Sequence, residues 1–348
     1  MPLDKALTRE KLSLLWRCDE IPELDIRANK YAILSDIHFG NGGPADDLRH
    51  NEETLVTAIE HYNHESYSLI LLGDIEELWQ FELEEIKEQY QNISYKRFRA
   101  FGDDRVHRVF GNHDIDWRTL PDPAKNSSAK SLCATEALKM RDGRGQTVIL
   151  LIHGHQGDKD SDIKAWRSRF FVRLYRWVEP LFKIDHARPA TKSRIKKDYE
   201  QILYSWAKES KVILICGHSH RAIFASKSYA QRLEEEIKEL QEQISANGDN
   251  QEKVKELRKK LEEKSKEYKR EKKYKRHIDP TDPGREPLPC YFNTGCALYP
   301  GGITAIEIAD DRIRLVKWHK DTKMKPRFEV YQEDVLSSFI AQVTSQRD

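Results

Sequence analysis

Five runs of apolar, largely β-branched residues punctuate the first two thirds of the chain, at 31–34, 69–72, 106–110, 148–152 and 212–216, the third being the weakest. Runs this short, closed by Gly or Asp, read as buried strands. Between them, 46–63 carries Leu48, Leu55, Ile59 and Tyr62 at helical spacing, and 82–101 carries Ile86, Tyr90 and Ile93 along one side. Alternation of strand and helix through the first 150 residues predicts an α/β arrangement. Beyond Pro289 the pattern changes. The stretches 290–295, 303–308 and 313–318, the last two parted by Ala309-Asp310-Asp311-Arg312, predict strands that include a hairpin.

Two segments interrupt this order. In 156–211, Trp166, Phe170, Leu174, Trp177 and Leu181 recur at helix spacing among Arg167, Arg169, Arg173 and Arg176, with fourteen Lys and Arg against eight Asp and Glu. An aromatic, basic helix of this kind would form a lid over an anionic substrate with an apolar part, or would pack its stripe on the fold and solvate its arginines. In 227–275, Leu233, Ile237, Leu240 and Ile244 form one seam, 245–250 a turn, and Val254, Leu257 and Leu261 a second seam, all surrounded by Glu and Lys. That pattern predicts an antiparallel helical hairpin of coiled-coil type, rooted at Ala225 and Pro287. Such a hairpin would bind a partner protein, mediate a homodimer, cover a site, or simply stand in solvent.

The chemistry lies where the apolar runs end. Each is followed by a polar cluster: Ser35-Asp36-Ile37-His38, Gly73-Asp74, Gly111-Asn112-His113-Asp114, His153-Gly154-His155 and Gly217-His218-Ser219-His220. Sites gather at the carboxyl ends of strands, so five such ends would bring these side chains into one pocket. Carboxylate oxygen together with imidazole nitrogen suits Mn, Fe or Zn, whereas Mg and Ca prefer nearly all-oxygen shells. Any one cluster alone reads more simply as a cap or turn at a strand end. His107, inside its strand, reads as structural.

Taken in order, these clusters resemble those of the calcineurin-like metallophosphoesterases, and the resemblance runs over 31–304 apart from the two interruptions. It implies a two-sheet β-sandwich flanked by helices and a pair of divalent metal ions. Asp36, His38, Asp74 and His220 would hold the first ion; Asp74 would bridge to the second, completed by Asn112, His153 and His218. His113 would touch the substrate phosphate without binding metal and would protonate the leaving oxygen. Glu77 stands where many members have Asp and would orient His113. Asp114 would orient neighbours or touch substrate, and His155 would touch substrate or cap the turn at Gly154. The domain would then comprise 30–226 and 287–335, with the lid at 156–211, the hairpin at 227–275, an N-terminal extension at 1–29 and a C-terminal tail at 336–348.

The implied reaction is hydrolysis of a phosphate ester or phosphodiester, Mn-dependent, with water activated between the metals as nucleophile. Gly73-Asp74-Ile75-Glu76-Glu77-Leu78-Trp79, the long segment after His153 and Tyr291-Phe292-Asn293-Thr294-Gly295 are also similar to the UDP-2,3-diacylglucosamine hydrolase branch. Those enzymes typically carry Arg where this chain has His113 and lack the hairpin, so pyrophosphate cleavage is the runner-up. An interaction module with vestigial catalysis is the alternative of another class; the complete ligand set argues against it.

Composition changes this picture little. With 348 residues, 34% of them charged, and a formal net charge of +1, the chain can build a substantial core and has no general attraction to nucleic acid or membrane. Its five cysteines form no Cys-x-x-Cys pair. With no secretory leader pattern after Met1 and no run of 18 apolar residues, they fit a reducing cytoplasm.

Overall fold

The computed structural model of the chain describes residues 4–119, 134–157, 190–246, 251–274 and 287–345. Two mixed sheets lie face to face with helices on their outer sides. The strands are β1 Glu23–Asp25, β2 Lys30–Leu34, β3 Tyr67–Leu72, β4 Val106–Val109, β5 Ala137–Arg141, β6 Thr147–Ile152, β7 Ile213–Cys216, β8 Ala222–Phe224, β9 Lys227–Ser228, β10 Tyr291–Thr294, β11 Ile303–Ala309, β12 Arg312–Lys320 and β13 Pro326–Val335. One sheet has the order β13-β12-β11-β2-β3-β4 and the other β1-β5-β6-β7-β10-β8-β9. β2, β3 and β4 run parallel, as do β6, β7 and β10. Every strand that carries a site cluster therefore belongs to a parallel block.

Alternation across the strands explains the layers. Tyr31, Ile33, Ile70 and Leu72 enter the core shared with the second sheet, whereas Ala32, Leu34, Leu69 and Leu71 enter the core beneath helices α2 (Glu52–His64) and α3 (Leu83–Tyr90). The parallel strands β6, β7 and β10 of the second sheet are buried on both faces. Their outer cover is helix α5 (Ala190–Ser210), whose Tyr199, Leu203, Trp206 and Ala207 join that core. A short helix α4, Lys96–Arg99, precedes β4.

Several boundaries differ from the periodicity reading, each for a tertiary reason. The 46–63 helix breaks into a 3₁₀ turn, Asp47–His50, and α2. Asp46 caps the turn while also accepting from Gly42 N (2.8 Å) and Tyr90 OH (2.7 Å), and Asn51 donates to the Ala297 and Tyr299 carbonyls instead of capping α2 with its side chain. The 82–101 helix is interrupted by a π turn, Gln91–Tyr95. Tyr90 and Tyr95, five residues apart, are both fully buried, which a wider turn permits and an uninterrupted α-helix does not.

The stretches read as extension and tail also contribute regular elements. Helix α1 (Lys5–Arg17) buries Leu12 and meets α5 through Trp206 Nε1, which donates to Ser13 Oγ at 3.0 Å. β1 extends the second sheet beside β5. The C-terminal helix, Leu336–Thr344, buries Leu336, Phe339 and Val343, with Phe339 against the rings of Phe224 and Phe292.

In the first interruption, Trp166, Phe170, Leu174, Trp177, Leu181 and the four arginines among them lie outside the described residues. In the second, helices α6 (Tyr229–Ala246) and α7 (Gln251–Tyr274) lie side by side, tied by Lys264 to Glu236 at 2.8 Å. At their root, Arg232 donates to the Phe224 carbonyl and sits over the Phe224 ring. No helix among the described residues is long and apolar enough to cross a membrane.

Phe339→Ala is expected to lower unfolding free energy by about 3 kcal/mol, the cost of an aromatic removed from a core. Urea denaturation followed by tryptophan fluorescence measures it. A loss below about 1 kcal/mol would place the C-terminal helix outside the cooperative unit.

Candidate metal centre

Each candidate ligand stands just past the carboxyl end of a strand: Asp36 and His38 after β2, Asp74 after β3, Asn112 after β4, His153 after β6, and His218 and His220 after β7. Three of these strands belong to one sheet and two to the other, so the centre lies at the mouth of the sandwich. Sharp turns aim the side chains. Asp36, His38, Asp74, His218 and His220 all have φ between 51° and 66°, the left-handed region that non-glycine residues seldom adopt. At Gly73 (φ 83°) a Cβ would sit 2.6 Å from the His153 ring, so only glycine lets β3 and β6 approach there.

The turns are stitched to one another. Asp36 N donates to Gly73 O, His38 N to Asp74 O, and Gly217 N to His153 O. Both carboxylate oxygens of Asp36 accept from His218 N (3.1 and 2.9 Å), which ties the first sheet to the second. His113 N donates to Asp74 Oδ1 at 2.8 Å.

Among the described residues the side chains fall into three close groups: Asp36 with His38 and His220, Asp74 with His153 and His218, and His38 with Glu77 and His113. Asp74 Oδ2 is 3.0 Å from His153 Nε2 and 3.8 Å from His38 Nε2; Asp36 Oδ1 is 3.1 Å from His220 Nε2 and 4.0 Å from His38 Nε2. Two ligands of one cation bonded at about 2.1 Å lie at such separations.

Tautomers follow from the outer partners. His153 Nδ1–H donates to Leu72 O at 2.9 Å and His38 Nδ1–H to Glu77 Oε2 at 2.8 Å, which turns each Nε2 inward. His38 Nε2 and Asn112 Oδ1 are buried with no hydrogen-bond partner among the described residues. A buried amide oxygen and an imidazole nitrogen left in this state are costly unless a cation takes them up. The donor set thus fits divalent metal.

Electrostatics point the same way. Burial opposes charge on His38, yet its hydrogen bond to Glu77 and the charges of Glu77, Asp74 and Asp36 hold it at about 9. His153 also reaches about 9, because Asp74 outweighs its desolvation. Burial disfavours the Asp74 carboxylate, but His153, His113 and His38 hold its pKa well below the usual range. In the absence of metal, protons supply the positive charge that the carboxylates demand.

His113 stands beside this centre. Its Nδ1–H donates to Glu77 Oε1 at 2.7 Å, its ring meets His38 edge-on at 4.8 Å, and Trp79 stacks on it at 4.0 Å. Burial works against the Glu77 charge, but His113 and His38 bring that carboxyl down to about 2. Asp114 is fully buried and accepts from Asp74 N, Ile75 N and Gly111 N, besides Arg108 at 3.2 Å. It orders the β3 and β4 turns from beneath. His155 is buried, 5.6 Å ring to ring from His153, and belongs to none of the ligand groups.

Beneath the ligands lie residues that the cluster reading left without a role at the centre. Arg108 pairs with Glu76, which also accepts from Tyr95 OH (2.6 Å) and Trp117 Nε1 (2.7 Å). Ser35 Oγ donates to Asp36 and is 2.5 Å from Thr294 Oγ1, and Asn293 Nδ2 donates to Gly217 O at 2.5 Å. Asn293 and Thr294 close β10, so a polar pair at the end of an apolar run was the available signal.

A family model described as calcineurin-like phosphoesterase matches residues 30–222, from the first residue of β2 to just past His220. A search of curated proteins finds no match to the chain.

Because His38 and His153 are protonated below about 9 without metal, divalent-metal binding at pH 7 is expected to release protons, and affinity to rise with pH until about 9. Calorimetric titration of metal-stripped protein with Mn²⁺ in buffers of different ionisation enthalpy measures this. An observed enthalpy independent of buffer would contradict it.

Proposed function

Given that this chain belongs to the calcineurin-like phosphoesterases, we propose that it hydrolyses a phosphate monoester or diester with two divalent metal ions. Asp36, His38, Asp74 and His220 would hold one ion, and Asp74, Asn112, His153 and His218 the other. Manganese is the proposed metal, with iron or zinc as alternatives, because the donors mix carboxylate, amide and imidazole. The observation that carries the reading is Asp74 Oδ2 within reach of both His38 Nε2 (3.8 Å) and His153 Nε2 (3.0 Å), together with a buried Asn112 oxygen that has no hydrogen-bond partner among the described residues. Such a metal pair supplies Lewis acidity towards phosphoryl oxygens and lowers the pKa of water to about 7.

The residues around the ions have separable tasks. Glu77 accepts from His113 Nδ1–H and so turns the other ring nitrogen, Nε2, away from itself. His113 then gives a proton from Nε2 to the oxygen that leaves phosphorus, and the Glu77 carboxylate stabilises the imidazolium that does so. This arrangement favours an ester over a pyrophosphate. An alkoxide leaves poorly without a proton, whereas a phosphate leaving group departs readily as an anion. Cleavage of a UDP-diacylglucosamine-type pyrophosphate is accordingly the second choice.

Three substitutions test the reading on Mn²⁺-loaded protein. Asp74→Asn is expected to abolish turnover of a simple phosphomonoester and phosphodiester while the circular dichroism spectrum stays unchanged; retained activity would sink the assignment. His113→Ala is expected to lower kcat on an alkyl ester by about 10²-fold or more at unchanged metal content. Loss of metal together with activity would make His113 a ligand instead. Glu77→Gln keeps the shape but removes the charge, and should lower kcat more than it changes KM. A matched assay on UDP-diacylglucosamine decides between ester and pyrophosphate.

A further inference from the structure

Trp79 is a large side chain that the hydrophobic cores do not use. Leu78 and Phe81, on either side of it in the chain, are buried, but Trp79 is only half-buried and joins none of the apolar clusters among the described residues. Its turn is rigid, since Gln80 N and Phe81 N both donate back to Glu77 O (3.2 and 3.1 Å). Among the described residues the indole makes a ring contact and a hydrogen bond, with successive residues of the β4 turn. Its face lies on the His113 ring, with centroids 4.0 Å apart and planes 18° from parallel. Its Nε1–H donates to Asn112 O at 2.9 Å.

These contacts complete a three-sided grip on one imidazole. Glu77 fixes the Nδ1 edge, His38 meets the ring edge-on, and Trp79 covers a face. A hydrogen bond alone leaves a ring free to rock about the donor–acceptor line. A flat aromatic surface against the face restrains that motion. The carbonyl contact fixes the backbone from which both Asn112 and His113 project.

We infer that Trp79 is a positioning residue for proton donation: it holds the His113 ring so that Nε2 meets the leaving oxygen. The inference rests on the reading of His113 as the proton donor. It makes a claim that a general packing role does not. A misplaced acid slows substrates whose leaving group needs a proton, and leaves nearly untouched those whose leaving group departs as an anion.

The test uses the full-length, Mn²⁺-loaded enzyme with two esters of the same phosphate, one with a 4-nitrophenyl and one with an alkyl leaving group. Trp79→Ala is expected to lower kcat on the alkyl ester by about tenfold or more, and on the nitrophenyl ester by less than about twofold, at unchanged KM and metal content. Trp79→Phe, which retains a stacking face, should recover most of the alkyl-ester rate. In a His113→Ala background, Trp79→Ala should cost little more. Equal losses on both esters, loss of metal, or full alkyl-ester activity without the indole would each overturn the inference. If Trp79→Ala does not fold, Trp79→Phe and Trp79→Leu compared on the same ester pair carry the test, with only Leu expected to be leaving-group selective. His113→Ala is the control that separates the two claims. If it is selective and the Trp79 variants are not, only the positioning claim falls; if it is not selective, the proton-donor reading falls with it.

Discussion

The centre concentrates negative charge that the described side chains around it do not neutralise. Asp36 and Asp74 are buried at the mouth of the sandwich, and the imidazoles around them can balance that charge only by taking up protons. Arg108 is also buried there, but it is committed one layer deeper to Glu76 and Asp114. The backbone bears a further cost, because the left-handed turns at Asp36, His38, Asp74, His218 and His220 are of the kind that costs on the order of 1–3 kcal/mol each. A fold that accepts this strain and this desolvation is organised around cations, whose binding returns the electrostatic energy that assembly of the site consumes.

The supporting layer follows from that demand. Buried ion networks such as that of Arg108, Glu76 and Asp114 often contribute little to stability relative to an apolar replacement. This one does fix positions: Asp114 spends its oxygens on the amides of Gly111, Asp74 and Ile75, so the turns after β3 and β4 cannot move independently. On the other sheet, Asn293 and Thr294 do the same for the turn after β7 and for Asp36. The ligands come from two sheets, and Asp36, which accepts from the His218 amide, sits at the seam. Tertiary hydrogen bonds of this kind hold a centre that no single sheet could present.

The parts of this arrangement that were legible in the sequence were those set by local chemistry. Apolar strands that end in Asp, Asn and His announce themselves by composition, and the order of the clusters points to the sandwich, with the ligand set following from it as a proposal. The periodicity reading failed where a distant partner decides. Nothing in 82–101 signals that Glu76 will draw the Tyr95 hydroxyl inward through a π turn, and nothing in 46–63 signals that Asn51 will serve the carbonyls of 297 and 299. The helix at 336–344 is short and ordinary in sequence; its burial against Phe224 and Phe292 is what makes it part of the core.

Glu77 shows how one methylene changes the logic of a site. An aspartate at this position would hold its carboxylate closer to its own backbone, and reaching one imidazole would tend to cost it the other. The longer glutamate places Oε1 on His113 Nδ1 and Oε2 on His38 Nδ1 at once, 2.7 and 2.8 Å away. One carboxylate thereby fixes the tautomer of a proposed metal ligand and of the proposed proton donor. A metal ion on His38 Nε2 would draw electron density from the ring and make its Nδ1–H a stronger donor to Glu77. The two proposed roles, metal ligand and proton donor, thus meet in a single side chain, while Trp79 covers a face of the His113 ring.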